Sequence, residues 1–265
     1  MPSAHVALVY HDVVTYRDRE AVGFRGPVAG VYKLAPERFA AHLDALAATG
    51  VRFGSGDSGA SAMLTFDDGG ASAMWIAAEL ERHGWRGTFF LVTARIGTPG
   101  FVDAAGVREL AGRGHEIGSH SHTHPPYMRQ LDSRALGEEW SISRAALTEL
   151  LGSPPRSAAI PGGSLSRGVI EQVACAGYER LFTSTPTVRI SRHSEMAIFG
   201  RYTIWANDPP ELPAAFVSGA CAPRARRWLE WQVKSAAKRC NPRIYEAARA
   251  VRAVSATRVG ARRRP

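Results

Sequence analysis

From residue 6 to residue 183, short apolar runs alternate about six times with longer stretches of helical periodicity, and no internal repeat accompanies the alternation. A chain built this way has few means of burying its strands: they lie parallel, and the intervening helices cover the sheet. The runs fall at residues 6–10, 63–66, 87–92, 115–119, 157–160 and 181–183, with further strand expected within 197–204. Helices are expected between them. Pro36 opens one that Gly50 closes; others cover 71–83, 103–112, 133–151 and 167–176, and Asp103 is placed to cap the third. In sheets of this kind functional groups gather at the carboxyl ends of the strands.

Two strand ends carry unusual chemistry. The run Met63-Leu64-Thr65-Phe66 stops at Asp67-Asp68-Gly69-Gly70. Adjacent carboxylates repel, and at a strand end they need a cation, a proton or open water. The run ending at Gly118 delivers Ser119-His120-Ser121-His122-Thr123-His124-Pro125. His120 and His124 are four apart, a spacing that lets a helical turn or a tight loop aim both imidazoles at one ion. One carboxylate and two imidazoles, with further positions open to water, form a catalytic rather than a structural divalent-metal site. His122 points the other way on this geometry.

These stretches resemble the first two motifs of the polysaccharide deacetylase family, also called carbohydrate esterase family 4 or the NodB homology domain. Thr65-Phe66-Asp67-Asp68-Gly69 and Ser119-His120-Ser121-His122-Thr123-His124-Pro125 carry the likeness, flanked by Gly87-Thr88-Phe89-Phe90-Leu91 and Gly114-His115-Glu116-Ile117-Gly118. It extends over about residues 5–205. The resemblance implies an α/β fold, a distorted (β/α) barrel, that hydrolyses N-acetyl groups of sugars with one divalent ion: zinc, or alternatively Co, Ni, Mn or Fe. By motif position Asp68, His120 and His124 are its ligands and Asp67 is the general base. The backbone N–H of Gly162, after Pro161, is the implied oxyanion donor.

Three departures follow. Where the family's third motif has an Arg and a Tyr around its proline, this chain has Ala159 and Gly162, so Asp67 lacks its usual orienting Arg unless Arg201 reaches across. The late Asp and Trp motif has only Trp205 with Asp208 as a candidate. The late Leu-x-His motif that carries the general acid is absent. Some exopolysaccharide-modifying members have permuted motifs with that histidine on the first strand, and Val9-Tyr10-His11-Asp12 fits the arrangement. His11 is therefore expected to be the acid, with Asp12 as its orienting partner and His193 as a second candidate.

The chain's net charge of +9 belongs to one end. From residue 222 onward thirteen Arg or Lys face two Glu, which leaves residues 1–221 slightly acidic. We divide the chain into a barrel domain, 1–221, and a basic helical extension, 222–265, with a disordered end. Two helices are expected there, 224–240 and 242–254. Their apolar stripe (Leu229, Val233, Ala236, Cys240, Ile244, Ala247, Val251) would pack on the barrel while the arginines stay solvated. The alternative is that the basic faces, with Trp228 and Trp231, hold the enzyme on anionic lipid. No motif supports nucleic-acid recognition.

Cys175, Cys221 and Cys240 are odd in number and widely spaced, which argues against a disulfide framework or a cysteine metal site. No run approaches a membrane span, and residues 1–12 lack the pattern of a secretion signal. The expectation is a cytoplasmic enzyme, peripheral to the inner face of the membrane if the tail binds lipid. Its substrate is expected to be an N-acetylated sugar: an oligosaccharide, a glycan precursor or a lipid-linked sugar. The alternatives are another amide, such as a formamide or cyclic ureide, and a catalytically weak carbohydrate-binding relative.

Overall fold

In the computed structural model, which describes residues 5–54 and 60–240, the first three strands are buried over their whole length: β1 (Val6–Tyr10), β2 (Ala62–Phe66) and β3 (Thr88–Leu91). Burial on both faces is what a helix-covered parallel strand requires. β4 (Glu116–Ser119), β5 (Ser157–Ala159) and β6 (Arg180–Phe182) continue the series. The strands expected within 197–204 are β8 (Met196–Phe199) and β9 (Tyr202–Thr203), and β8 is preceded by an unforeseen β7 (Ser191–His193).

All nine belong to one sheet of order β7-β8-β6-β5-β4-β3-β2-β1-β9, parallel throughout except for the β7–β8 pair. That order forces the sheet to curl. β8 and β9 lie seven strand intervals apart, which in a flat sheet is roughly 30 Å or more. Only Gly200 and Arg201 join them, and the three peptide links from Phe199 to Tyr202 reach at most about 11 Å. The edges must therefore approach each other, giving the distorted barrel. Glycine suits the crossing, because a Cβ on Gly200 would stand 2.4 Å from the Thr185 carbonyl oxygen.

The curl separates two kinds of core. Ala7, Met63, Phe90, Ala159 and Phe182 form a cluster inside the barrel, with Phe199 against it. Outside, two larger clusters join the strands' other faces to the helices. Those helices are α1 (Pro27–Gly30), α2 (Pro36–Ala47), α3 (Ala73–Arg82), α4 (Ala104–Gly112), α5 (Ser133–Leu151), α6 (Arg167–Cys175), α7 (Glu211–Val217) and α8 (Cys221–Cys240). Asp103 caps α4 as expected, accepting the Gly106 N–H at 2.8 Å. Asp132 and Ser166 cap α5 and α6 in the same way. Gly152 ends α5 in the left-handed conformation that favours glycine.

The polarity of α8 is the reverse of the expected one. Leu229 and Val233 are 59% and 64% exposed, whereas Arg227 is only 6% exposed. Arg227 donates to the Thr203 carbonyl at 2.7 Å, pairs with Asp208 at 2.9 Å and lies 4.0 Å from the Trp205 ring centre, with the Lys234 ammonium 3.6 Å from the same ring. The cations dock the helix and the apolar stripe faces outward. Periodicity reveals that a stripe exists but not which side the barrel occupies. The expected helix 242–254 and the disordered end lie outside the described residues. Among the described residues no helix is long and apolar enough to cross a membrane.

Candidate active site

In β2, Met63 and Thr65 share the interior face by strand alternation, and Asp67 follows in step. An extended Asp68 would point the opposite way. Instead it turns left-handed, at φ 77°, and Gly69 follows at 76°. Asp is among the residues that tolerate this region. A Cβ on Gly69 would also come 2.8 Å from Leu91 Cδ2, so that side chain would have to shift. The turn brings both carboxylates to one imidazole, with His120 Nε2 3.8 Å from Asp67 Oδ2 and 3.5 Å from Asp68 Oδ1.

Arg201 crosses the barrel interior to reach Asp67. Its Nη1 and Nη2 donate to the two carboxylate oxygens at 2.6 and 2.8 Å, while Nε donates to the Thr183 carbonyl and Nη1 also to Thr65 Oγ1, both at 3.1 Å. Phe90 and Phe182 wall the guanidinium. Burial opposes ionisation of Asp67, but Arg201, helped by His120, outweighs it and holds the carboxyl down to about 2. This is the bidentate pairing for which Arg is suited.

Asp68, His120 and His124 offer three ligand atoms within 4.8 Å of one another. The donor chemistry fits a divalent ion. His120 Nδ1 lies 2.9 Å from the Ala159 carbonyl, to which its N–H donates, leaving Nε2 as the lone-pair donor toward the cluster. Burial holds His120 down to about 3, so the ring is neutral. Burial, and then the charge of Asp67, push Asp68 up to about 7, and a divalent cation at this place would offset both. Asp68, His120 and His124 would hold the ion. His122 is turned aside as expected, its Nδ1 2.9 Å from Thr93 Oγ1.

His11 follows β1 at the same rim. Its ring stacks on Tyr32, centres 4.6 Å apart, and its Nδ1 is buried without a hydrogen-bond partner among the described residues. Burial lowers its pKa, while the charges of Asp68 and Asp67 act in the other direction. Asp12 does not orient it. Asp12 accepts from Ser72 Oγ at 2.7 Å and is packed so closely on Gly23 and Gly70 that a Cβ on either would meet its oxygens at 1.9 Å. Pro161 and Gly162 follow β5 beside the carbonyl that holds His120, with Gly162 at φ 56°. His193 sits on β7, the antiparallel edge strand. Asp208 Oδ2 accepts the Trp205 N–H at 2.8 Å and pairs with Arg227, so both serve the docking of α8.

Sequence reading missed two aromatic contacts made by the long 12–35 loop. Besides Tyr32 on His11, Phe24 lies 4.8 Å from the His124 ring, with Phe101 and Arg95 against it. The loop is secured by Lys33, whose buried ammonium donates to the Arg19 and Val22 carbonyls. Which aromatics of this loop face inward is not readable from the sequence, because it depends on how the loop packs on the rim.

Part of the chain is similar to known proteins. Residues 55–181 match the family model described as polysaccharide deacetylase. A peptidoglycan-N-acetylglucosamine deacetylase, PgdA, of Listeria monocytogenes is 32% identical over 113 residues, covering 42% of this chain and 23% of that protein. The chain thus spans about a quarter of that relative's length. A polysaccharide deacetylase from Bacillus cereus superposes with TM-score 0.69 at 19% identity, covering 80% of this chain and 68% of that one. IcaB from Ammonifex degensii gives 0.66 at 23% identity, covering 80% and 96%. The last two establish a shared fold.

Proposed function

We propose that this chain, a relative of the polysaccharide deacetylases, is a metal-dependent carbohydrate N-deacetylase that hydrolyses the acetamide of an N-acetylated sugar. The observation that carries the reading is an ionised, doubly hydrogen-bonded Asp67 beside the donor set Asp68, His120 and His124. A divalent ion held by those three, zinc or another first-row ion, would supply Lewis acidity toward water and the acetamide oxygen.

Asp67 takes the proton of the attacking water, and Arg201 keeps it ionised and aimed. The Gly162 N–H, a preorganised backbone donor, serves the oxyanion of the tetrahedral intermediate. His11, steadied by Tyr32, gives a proton to the departing amine as the C–N bond breaks. Phe24, beside His124, and Tyr32, beside His11, offer aromatic surface to the sugar. Acetate release from a panel of N-acetyl sugars, with and without chelator, tests the reading; release that chelator does not affect would overturn it.

A formamide or cyclic ureide hydrolase on the same scaffold predicts turnover of those amides and no acetate. A weak carbohydrate-binding relative predicts sugar binding without turnover. The Arg201–Asp67 pair speaks against the latter, since binding alone requires no ionised base. We also propose attachment of α8 to anionic membrane at the cytoplasmic face, supported by its outward Leu229 and Val233, the half-exposed Trp228, and seven Arg against one Glu in residues 241–265.

A further inference from the structure

The loop that carries both histidines is braced by a helix whose residues have no place in the chemistry above. Ser121 and His124 both stand at φ 62°, in the left-handed region that side chains other than glycine seldom occupy. Such a backbone persists only where its surroundings over-determine it. The surroundings are the Thr93 and Ala94 N–H groups, which donate to the Ser121 and His122 carbonyls at 3.3 and 2.9 Å, and two residues of α5, four apart and therefore on one face. Glu139 Oε2 accepts the backbone N–H groups of His122 and Thr123 at 2.9 and 2.8 Å, and Oε1 accepts the Thr123 hydroxyl at 2.5 Å. Ser143 Oγ lies 2.6 Å from Ser119 Oγ, which accepts the Ser121 N–H at 3.1 Å. Ser121 Oγ closes the loop by accepting the His124 N–H at 3.1 Å.

We infer that Glu139 is a positioning residue of the metal centre: by gathering three donors from His122 and Thr123, it sets the separation and aim of His120 and His124. The inference rests on the reading of Asp68, His120 and His124 as a metal site. Glu139 lies outside that donor set and contacts the loop through backbone groups and one hydroxyl. Removal of such supporting partners typically lowers metal affinity by about 10–100-fold.

The test uses the full chain, stripped of metal, as wild type, Glu139→Ala and Glu139→Gln. Zinc affinity is measured by competition with a chromogenic chelator, and the visible spectrum is recorded after loading with Co²⁺. Glu139→Ala should weaken zinc binding by about 10–100-fold and alter the Co²⁺ bands. Glu139→Gln should restore both, because its amide oxygen can accept the two N–H groups and its nitrogen can donate to the Thr123 hydroxyl. That rescue also separates geometry from the charge of Glu139 near His124. If Glu139→Ala does not fold, Ser143→Ala, which removes the neighbouring brace, should produce the same spectral change in smaller degree. Wild-type affinity and an unchanged Co²⁺ spectrum in the folded variants would overturn the role of Glu139 alone. A wild type that takes up neither ion would overturn the metal reading and this inference with it.

Discussion

Arg201 holds both oxygens of Asp67, at 2.6 and 2.8 Å, from the two-residue crossing that closes the sheet. The short crossing that makes the sheet curl thus carries the residue that keeps the proposed base ionised. Asp67 has its folded pKa lowered from 3.8 to about 2. Its contribution to stability is therefore complete above pH 3.8 and is lost as pH falls through about 2.

Replacing Arg201 with Ala should strip that contribution and leave a buried, unpaired carboxylate. Breaking a buried pair in this way costs about 3–5 kcal/mol. Chemical denaturation at neutral pH should register the loss. In a pH–rate profile the acid limb assigned to Asp67 should move upward, because burial without Arg201 favours the neutral acid. Arg201→Lys should recover part of the stability but not the two-point aim. An acid limb unmoved in both variants would separate Arg201 from Asp67.

Asp67 and Asp68 are neighbours in sequence with different proposed roles, and substitution should divide them. Asp67→Asn should keep the donor set and its metal uptake while abolishing acetate release. Asp68→Asn should reduce both, since it removes one of the three ligands. Metal content by elemental analysis, set beside turnover, makes the comparison; an Asp67→Asn enzyme with full activity would remove the base from Asp67.

His11 should be separable from the metal centre. His11→Asn keeps a polar group against Tyr32 but cannot deliver a proton as imidazolium. We expect bound metal to be retained and kcat to fall by about 10²–10⁴-fold, the usual range for a general acid. The loss should be least for substrates whose leaving amine is least basic. Unchanged kcat and pH profile would return the search to other groups at the rim.

The residues that could be read in advance are those whose partners lie close in sequence. Asp67 with Asp68, and His120 with His124, announce themselves because each pair is created within one turn at one strand end. The alternating pattern likewise implied a parallel, helix-covered sheet. Arg201 was visible only as a candidate, because its partner is 134 residues away and their meeting depends on how the sheet closes. Asp12 was misassigned for a related reason: adjacency to His11 suggested a pair, but strand alternation turns Asp12 toward Ser72 instead. Nothing in the sequence distinguishes Glu139 from a solvated helix acid. Its three contacts exist only once α5 packs beside β4.

The reversed polarity of α8 leads to the last prediction. An expected barrel-facing stripe is instead open at Leu229 and Val233, while Arg227 and Lys234 are engaged with Trp205, just beyond the carboxyl end of β9. β9 is parallel to β1, so α8 is anchored at the same end of the sheet as His11. A helix seated on lipid by this stripe would bring the site close to a membrane-borne sugar. Full-length protein should sediment with vesicles containing anionic lipid and much less with neutral ones, and added salt should weaken the difference. Leu229→Glu with Val233→Glu should abolish sedimentation while leaving hydrolysis of a soluble substrate unchanged. Equal sedimentation of the double variant would exclude the stripe, and a wild type that instead dimerises through it, seen by light scattering, would identify a second copy as its partner.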